Sequence, residues 1–370
     1  MPRPTYAEVN IQAIRRNFRA LRGLLNPGTA MAGIVKADAY GHGAVPVARA
    51  LVEEGVRMLG VALVEEGVEL RQAGLQVPIL VLGTLPLDEI PAVLEHDLTV
   101  TIDDVRTARA LAARAAGSPR RVAVHLKVDT GMNRLGVRAE AAPDVLAEIA
   151  GLKALALEGV YTHFACADED CHPATPDQLA RFRHLLATLE ARGLRPPLVH
   201  AVNSSALVLL PDAHYDMVRP GLALYGIHPC EATAARVTLE PAMALRTEVT
   251  HLKHVRRGEG ASYGHTWRAE RDSVLGLLPI GYADGLPRAL SNCGQVRADG
   301  RLCPVRGIIC MDATMVDLTD VREARVGLPV TVMEASNESP LGAAAMARAC
   351  GTISHEILTG VGRRVPRRYV

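Results

Sequence analysis

Aromatic residues are scarce in this chain, with one tryptophan, three phenylalanines and eight tyrosines among 370 residues. A tyrosine beside a glycine is therefore less available as generic core filling, and Tyr40, Tyr263 and Tyr282 all stand in such settings. Excess charge is missing too. Lys plus Arg number 41 against 40 Asp plus Glu, so a net charge of +1 offers no general attraction to nucleic acid or anionic membrane. No stretch reaches the ~18 uninterrupted apolar residues of a spanning helix, and Met1-Pro2-Arg3-Pro4-Thr5-Tyr6 lacks an apolar signal core. The expectation is a soluble, cytoplasmic protein with a small uncharged or zwitterionic partner. Seven cysteines (166, 171, 230, 293, 303, 310 and 350) are an odd, scattered set, unlike a stapled secreted domain, and are read as reduced thiols. His163, Cys166, Cys171 and His172 fit no standard zinc spacing, and Asp168, Glu169 and Asp170 intrude, so no metal is expected. The basic tail Arg363-Arg364-Val365-Pro366-Arg367-Arg368 has no stacking aromatics between its charges and reads as a solvated strand end.

What is abundant is apolar sequence, 49% of the chain, enough for one large core and a second domain. Eight short apolar runs look like buried parallel strands: 30–36, 58–63, 78–82, 98–102, 122–128, 157–164, 198–202 and 217–225. Stretches with three-to-four apolar spacing lie between most of them, such as 45–54, 104–116, 141–150 and 176–191. This alternation predicts an α/β fold, a (β/α)8 barrel over residues 10–232. After Pro229 the pattern becomes mixed strands broken by glycine turns, for example 244–253, 274–280, 295–301 and 329–334, with one helix at 342–350 and a last extended piece at 364–369. A mostly β C-terminal domain, 233–370 joined by an N-terminal strand 1–9, is expected to follow the barrel.

A barrel's chemistry gathers at the carboxyl ends of its strands. Lys36 ends the first run, Lys127 and Asp129 the fifth, His163 the sixth, His200 and Asn203 the seventh, and Arg219 lies in the eighth. A lone lysine there is usually exposed or snorkelling. Lys36-Ala37-Asp38-Ala39-Tyr40-Gly41-His42-Gly43, however, sets an amine, a phenol and glycines at the place where a barrel holds ligands. A lysine in a dry pocket can lose its proton, condense with an aldehyde and later act as a base. Gly41 and Gly43 are no dinucleotide fingerprint, because Pro46 stands where the third glycine would be.

The segment Ile34 to Gly43 closely resembles the pyridoxal-phosphate attachment site of alanine racemases, fold type III enzymes. Seven further motifs occur in that family's order: Leu126-Lys127-Val128-Asp129-Thr130-Gly131-Met132-Asn133-Arg134-Leu135-Gly136, Thr162-His163-Phe164-Ala165, Asn203-Ser204-Ser205, Val218-Arg219-Pro220-Gly221, Ser262-Tyr263-Gly264, Gly281-Tyr282-Ala283-Asp284-Gly285 and Cys310-Met311-Asp312. The resemblance implies a homodimer that interconverts L- and D-alanine on pyridoxal 5'-phosphate, supplying D-alanine for peptidoglycan. It implies Lys36 as cofactor anchor and D-face base, and Tyr263 of the other subunit as L-face base. A phenol is a poor base at neutral pH unless its phenolate is stabilised, and the implied help is a chain through His163, Arg219 and His200. Arg219 would face the pyridine nitrogen. As an arginine it only donates, so that nitrogen stays unprotonated and transamination is disfavoured. Phosphate contacts are implied for Tyr40, Ser204, Gly221 and Leu222, with Asn203 in support. Arg134 and the Met311 backbone would hold the substrate carboxylate. Lys127, carbamylated in some members, would orient Arg134, and Tyr282 and Asp312 would form an inner gate with Met311 that favours a small substrate. Two positions depart from the pattern: His355 stands where a phosphate-touching tyrosine is usual, and Ile308 where an arginine is common. A broader amino-acid racemase accepting serine, and a noncatalytic pyridoxal-phosphate carrier built on the barrel alone, are the alternatives.

Overall fold

The computed structural model describes residues 3–169 and 172–370. Strand β1 (Tyr6–Val9) opens the chain and leads into a helix, Ile11–Arg22, whose first turn is capped by the Asn10 side chain accepting from Ala13 N at 2.9 Å. The barrel strands follow: β2 (Ala30–Ile34), β3 (Met58–Val61), β4 (Ile79–Val81), β5 (Thr99–Ile102), β6 (Val122–Asp129), β8 (Leu155–Tyr161), β9 (Leu198–His200) and β10 (Met217–Val218). The short β7 (Val137–Arg138) pairs only with β6. All neighbouring pairs from β10 through β2 to β9 are parallel. Asp216 N to Val199 O (3.0 Å) and Arg219 N to Val202 O (3.1 Å) draw the last two strands together. Strands such as β3, β4 and β5 are buried along their whole length, which is why they read as continuous apolar runs rather than alternating ones.

Several boundaries differ from the sequence expectation, each for a local reason. The run 217–225 yields only the two residues of β10, because Pro220-Gly221 breaks it and Leu222–Tyr225 forms a 3₁₀ turn. The run 157–164 starts earlier, at Leu155, and ends at Tyr161, leaving His163 on the loop beyond the strand.

In the second domain a six-stranded sheet runs β17-β16-β19-β11-β1-β20, where β11 is Met243–Glu248, β16 Gln295–Ala298, β17 Arg301–Pro304, β19 Pro329–Met333 and β20 Arg367–Tyr369. Strands β12 (His251–Val255), β15 (Ser273–Leu278) and β18 (Thr314–Asp317) make a second sheet, and β13 (Gly260–Ala261) pairs with β14 (Trp267–Arg268). The expected strand 244–253 is thus two strands in different sheets. No glycine or proline marks the corner at Val249-Thr250; pairing of β11 with β19 and of β12 with β15 sets it. The expected strand 295–301 is a hairpin turning at Asp299-Gly300, both with positive φ (47° and 74°), the two-residue turn that Asp-Gly favours. The N-terminal strand does lie in this sheet, antiparallel to β11 and parallel to β20.

Asn17, on the first helix, stitches the barrel to the crossing that leaves it. Its amide donates to Leu224 O (3.1 Å) and Glu240 O (2.8 Å), and its carbonyl accepts from Glu240 N (2.8 Å), with the Asn17 side chain itself buried. Replacing it with leucine deprives three backbone groups of their partner, one in a buried bond and two in part-buried ones. Asn17→Leu is expected to cost on the order of 3 kcal/mol, read as a lowered midpoint in urea unfolding.

Candidate active site

At the carboxyl ends of the barrel strands lies a cavity of about 1040 Å³ whose walls include Lys36, Tyr40, Lys127, Arg134, His163 and Arg219. Asn203, Ser204, Gly221, Leu222 and His355 also line it. His200 sits beneath, fully buried. Eleven of the residues expected from sequence therefore meet in one place.

The backbone after Lys36 is unusual. Ala37, Asp38 and Ala39 all adopt φ 53° with ψ between 46° and 52°, and Tyr40 shares the φ, making a left-handed turn. Left-handed residues with a Cβ cost roughly 1–2 kcal/mol each. The surroundings hold the turn in place: Ala37 N donates to Glu66 Oε1 (2.6 Å), Asp38 Oδ1 accepts from Ala44 N (2.8 Å), and Arg367 Nε donates to Gly41 O (3.0 Å). Glu66 also takes the N–H groups of Ala62 (2.7 Å) and Leu63 (3.2 Å), so one carboxylate ties the segment after β3 to the lysine turn. The turn points Lys36 into the cavity and stacks the Tyr40 ring on Tyr225 with centroids 4.8 Å apart. A Cβ on Gly221 would fall 2.3 Å from the Tyr40 hydroxyl oxygen, so only glycine lets that phenol sit there.

Charge is crowded at the cavity floor. Arg219, 5% exposed, donates to His200 Nδ1 (2.7 Å), Thr162 O (2.8 Å), Ala201 O (3.0 Å) and His163 Nδ1 (3.3 Å). Burial lowers its pKa to about 10, which still leaves it cationic at neutral pH. Its Nε–H has no protein acceptor among the described residues and remains for a ligand acceptor. Burial, then the Arg219 and Arg134 charges, lowers Lys127 to about 7, against Asp129 and Asp103. Its ammonium lies 4.7 Å from the Tyr161 ring centroid, and the Arg219 guanidinium 5.1 Å from the same ring. Lys36 is also lowered, by desolvation and the Arg134 charge, against Glu66. His163 is held well below its ordinary value by burial and by Arg219. Desolvation and then the Lys36 charge, against Asp168, lower His355, whose ring lies 5.7 Å from that of Tyr40.

At the other end, Ser204 Oγ accepts from Gly221 N (2.9 Å) and Ala223 N (3.2 Å), which fills its lone pairs and leaves its O–H to donate. Asn203 instead spends its carbonyl capping the helix Ser204–Leu209 through Ala206 N (3.0 Å). An amine between a pure-donor arginine and a serine, tyrosine and histidine cluster is a donor set that fits a ligand with an acceptor ring nitrogen at one end and an anion at the other.

The single chain does not bring Tyr263, Tyr282, Met311 or Asp312 to this cavity. They stand on the second domain, with Tyr263 73%, Met311 52% and Tyr282 43% exposed, and Asp312 paired to Arg364 at 2.7 Å. Tyr263 is presented by a turn with positive φ at Ser262 (61°), Gly264 (68°) and His265 (45°), pinned where Ser262 Oγ donates to Ile308 O (2.6 Å). That contact uses the Ile308 backbone and not its side chain. Cys166, Glu169 and His172 bring their ligand atoms within 4.8 Å of one another. Burial and the nearby Glu169 and Asp168 raise the Cys166 thiol, and His172 Nδ1 already accepts from Ala174 N (3.2 Å), so this group is poorly prepared for a metal. Cys171 lies outside the described residues.

Two family models match, "Alanine racemase, N-terminal domain" over residues 9–229 and "Alanine racemase, C-terminal domain" over 242–369. The chain belongs to the alanine racemase family. An alanine racemase of Symbiobacterium thermophilum is 45% identical over 367 residues, covering 99% of this chain and 97% of that protein. One from Desulfovibrio desulfuricans is 43% identical, covering 100% and 98%. The solved alanine racemase of Clostridium difficile 630 superposes with a TM-score of 0.95 at 36% identity, covering 100% of this chain and 96% of its own. The chain is thus an isomerase of amino-acid substrates, with the barrel and β domain of its relatives. A barrel-only carrier has no counterpart of the matched C-terminal domain, and that alternative falls. No helix among the described residues is long and apolar enough to cross a membrane.

Sequence reasoning overlooked Glu66, His125, Tyr161 and Gln178. Gln178 clamps the His163 loop, accepting from Ala165 N (2.9 Å) and donating to His163 O (3.0 Å) and Thr130 Oγ (3.2 Å). Only Glu66, a carboxylate three residues into a helix after a strand end, carried a local signal.

The left-handed turn makes a comparative prediction. Ala→Gly in an ordinary helix costs about 1 kcal/mol, as expected for exposed Ala187 in the helix Ala174–Ala191. At Ala37 relief of left-handed strain offsets that loss, so Ala37→Gly should shift the unfolding midpoint far less than Ala187→Gly in the same denaturant series.

Proposed function

We propose that this protein interconverts L- and D-alanine by a two-base mechanism on pyridoxal 5'-phosphate, within a homodimer that shares its active sites, and so supplies D-alanine for peptidoglycan. The observation that carries it is the separation of Lys36, inside the barrel cavity, from Tyr263, exposed on the second domain of the same chain. A lone chain has one base at the cavity; a second copy supplies the other.

Lys36 would anchor the cofactor, and Tyr40, Ser204, His355 and the backbone at Gly221 and Leu222 would receive its phosphate, with Asn203 holding Ser204 in place. Pyridoxal phosphate, when bound, delocalises the electron pair left after the α-proton departs. Arg219 would keep the ring nitrogen unprotonated by offering it the Nε–H. Arg134, with the Met311 backbone of the partner subunit, would hold the substrate carboxylate, orienting the α-hydrogen. Lys36 Nζ would then take or return the proton on the D face, its lowered pKa making the neutral amine accessible. The Tyr263 oxygen of the partner subunit would serve the L face. His163 suits the task of steadying a phenolate there. Its Nδ1 receives Arg219, so in the neutral ring the proton sits on Nε2 and can be donated outward. Tyr282 and Asp312 would narrow the entrance with Met311, consistent with a substrate as small as alanine.

Mixing two inactive variants tests the shared site. In a dimer of one Lys36→Ala chain and one Tyr263→Phe chain, both lesions fall in one site and the other is intact. Equilibrated mixtures, half of them mixed dimers, should regain about a quarter of the native rate, while either variant alone stays inactive. No recovery despite confirmed subunit exchange would exclude sharing.

Lys127 yields a prediction with a definite sign. With a pKa of about 7 its neutral form increases as pH rises through 7, and only a neutral amine adds carbon dioxide, releasing one proton and leaving a carbamate anion beside Arg134. Protein equilibrated with ¹³C-bicarbonate should show a carbamate NMR signal that grows from about pH 6 to 8 and is missing in Lys127→Ala.

A further inference from the structure

The hydrogen-bond chain below Arg219 continues past His200, and donor chemistry fixes its direction. A guanidinium only donates, so His200 Nδ1, 2.7 Å from Arg219, is an unprotonated nitrogen. Neutral His200 therefore carries its proton on Nε2, which lies 2.8 Å from Nδ1 of His125. That nitrogen must accept in turn, placing the His125 proton on its own Nε2, a buried atom with no partner among the described residues. A proton added to either ring would set two N–H groups face to face. Burial, followed by the Arg219 charge, opposes that protonation as well, taking His125 to about 3 and His200 well below its ordinary value.

The neighbouring sequence is shaped around this contact. A Cβ on Gly159 of β8 would lie 2.5 Å from His125 Nδ1, so the absent side chain makes room for the ring. The pairing of β6 with β8 shifts register between Val124 and His125. The His200 ring stacks on Tyr161 with centroids 4.6 Å apart and planes 8° from parallel, and Tyr161 is itself pinned by a 2.7 Å hydrogen bond with Thr101. His200 has no room to swing, so its proton arrangement is the remaining variable.

We infer that His125 is a positioning residue: by accepting from His200 it fixes the tautomer of that ring, and thereby keeps the Arg219 guanidinium a stationary donor facing the cavity. The functional part rests on the proposed role of Arg219. Without an acceptor at position 125, His200 can shift its proton to Nδ1, which then opposes Arg219 and turns the guanidinium away.

The first measurement uses the unmutated protein, with and without pyridoxal phosphate, labelled with ¹⁵N in histidine. His125 and His200 should both be neutral with the proton on Nε2 from about pH 6 to 9, the two signals assigned by their disappearance in single variants. A proton on Nδ1 of either ring, or a charged His125 in that range, overturns the inference. The second measurement compares His125→Phe, which removes the acceptor, with His125→Asn, whose carbonyl can take its place. His125→Phe should lower kcat about tenfold while KM for alanine stays within about twofold, and the Arg219-bonded nitrogen of His200 should lose its unprotonated shift. His125→Asn should restore kcat to within about threefold and return that shift. Equal losses in both variants, or an unaltered His200 signal in His125→Phe, would assign His125 to packing alone. The tautomer readout needs neither cofactor nor turnover, so it stands or falls separately from the racemase reading.

Discussion

A guanidinium buried inside a barrel must satisfy five N–H groups without any ability to accept, and most of the cavity floor follows from that demand around Arg219. Two backbone carbonyls, at Thr162 and Ala201, face inward because the strands before them end there. Two histidines supply ring acceptors and must remain neutral to do so. The same positive charge pushes down the amine of Lys127 and helps keep His163 deprotonated. Burial and one permanently charged donor thus act together to keep the groups around it deprotonated. The low effective dielectric of the interior makes that influence larger than it would be in water.

The lysine end of the cavity works by geometry instead. Four consecutive left-handed residues are a costly way to leave a strand, yet they bring an amine and a phenol to the same opening within five residues. Hydrogen bonds with Glu66, Ala44 and Arg367 hold the turn from three parts of the chain. Strain of this kind persists only where the surroundings over-determine it, and it accords with a site that must be rigid before its ligand arrives.

What could be read from the sequence alone depended on whether a signal was local. Lys36, Lys127, His163 and His200 each close an apolar run, so barrel logic places them together from the sequence alone. Alternation of strand and helix likewise gave the barrel. His125 and Tyr161 left no such mark. They look like one more polar residue and one more aromatic inside buried strands, and their importance comes from pairings across 75 and 60 residues. The β domain was blurred for a related reason: the corner at Val249-Thr250 is imposed by partners on either side, whereas the Asp-Gly pair at 299–300 is a local turn signal that the expected strand 295–301 ran through. Tyr263 was identifiable by its motif, but its distance from Lys36 within one chain belongs to the folded molecule.

The placement of β1 between β11 and β20 also constrains the order of events during synthesis. Strand β1 pairs with residues 243–246 of β11 on one side and with 367–369 of the edge strand β20 on the other, so neither of its sides can be covered until strands far along the chain have been made. The barrel strands, complete by Val218, have no such wait. An emerging chain would therefore carry a nearly finished barrel and a tethered β1, open to other partners on one side until β11 has been made and on the other until β20 has.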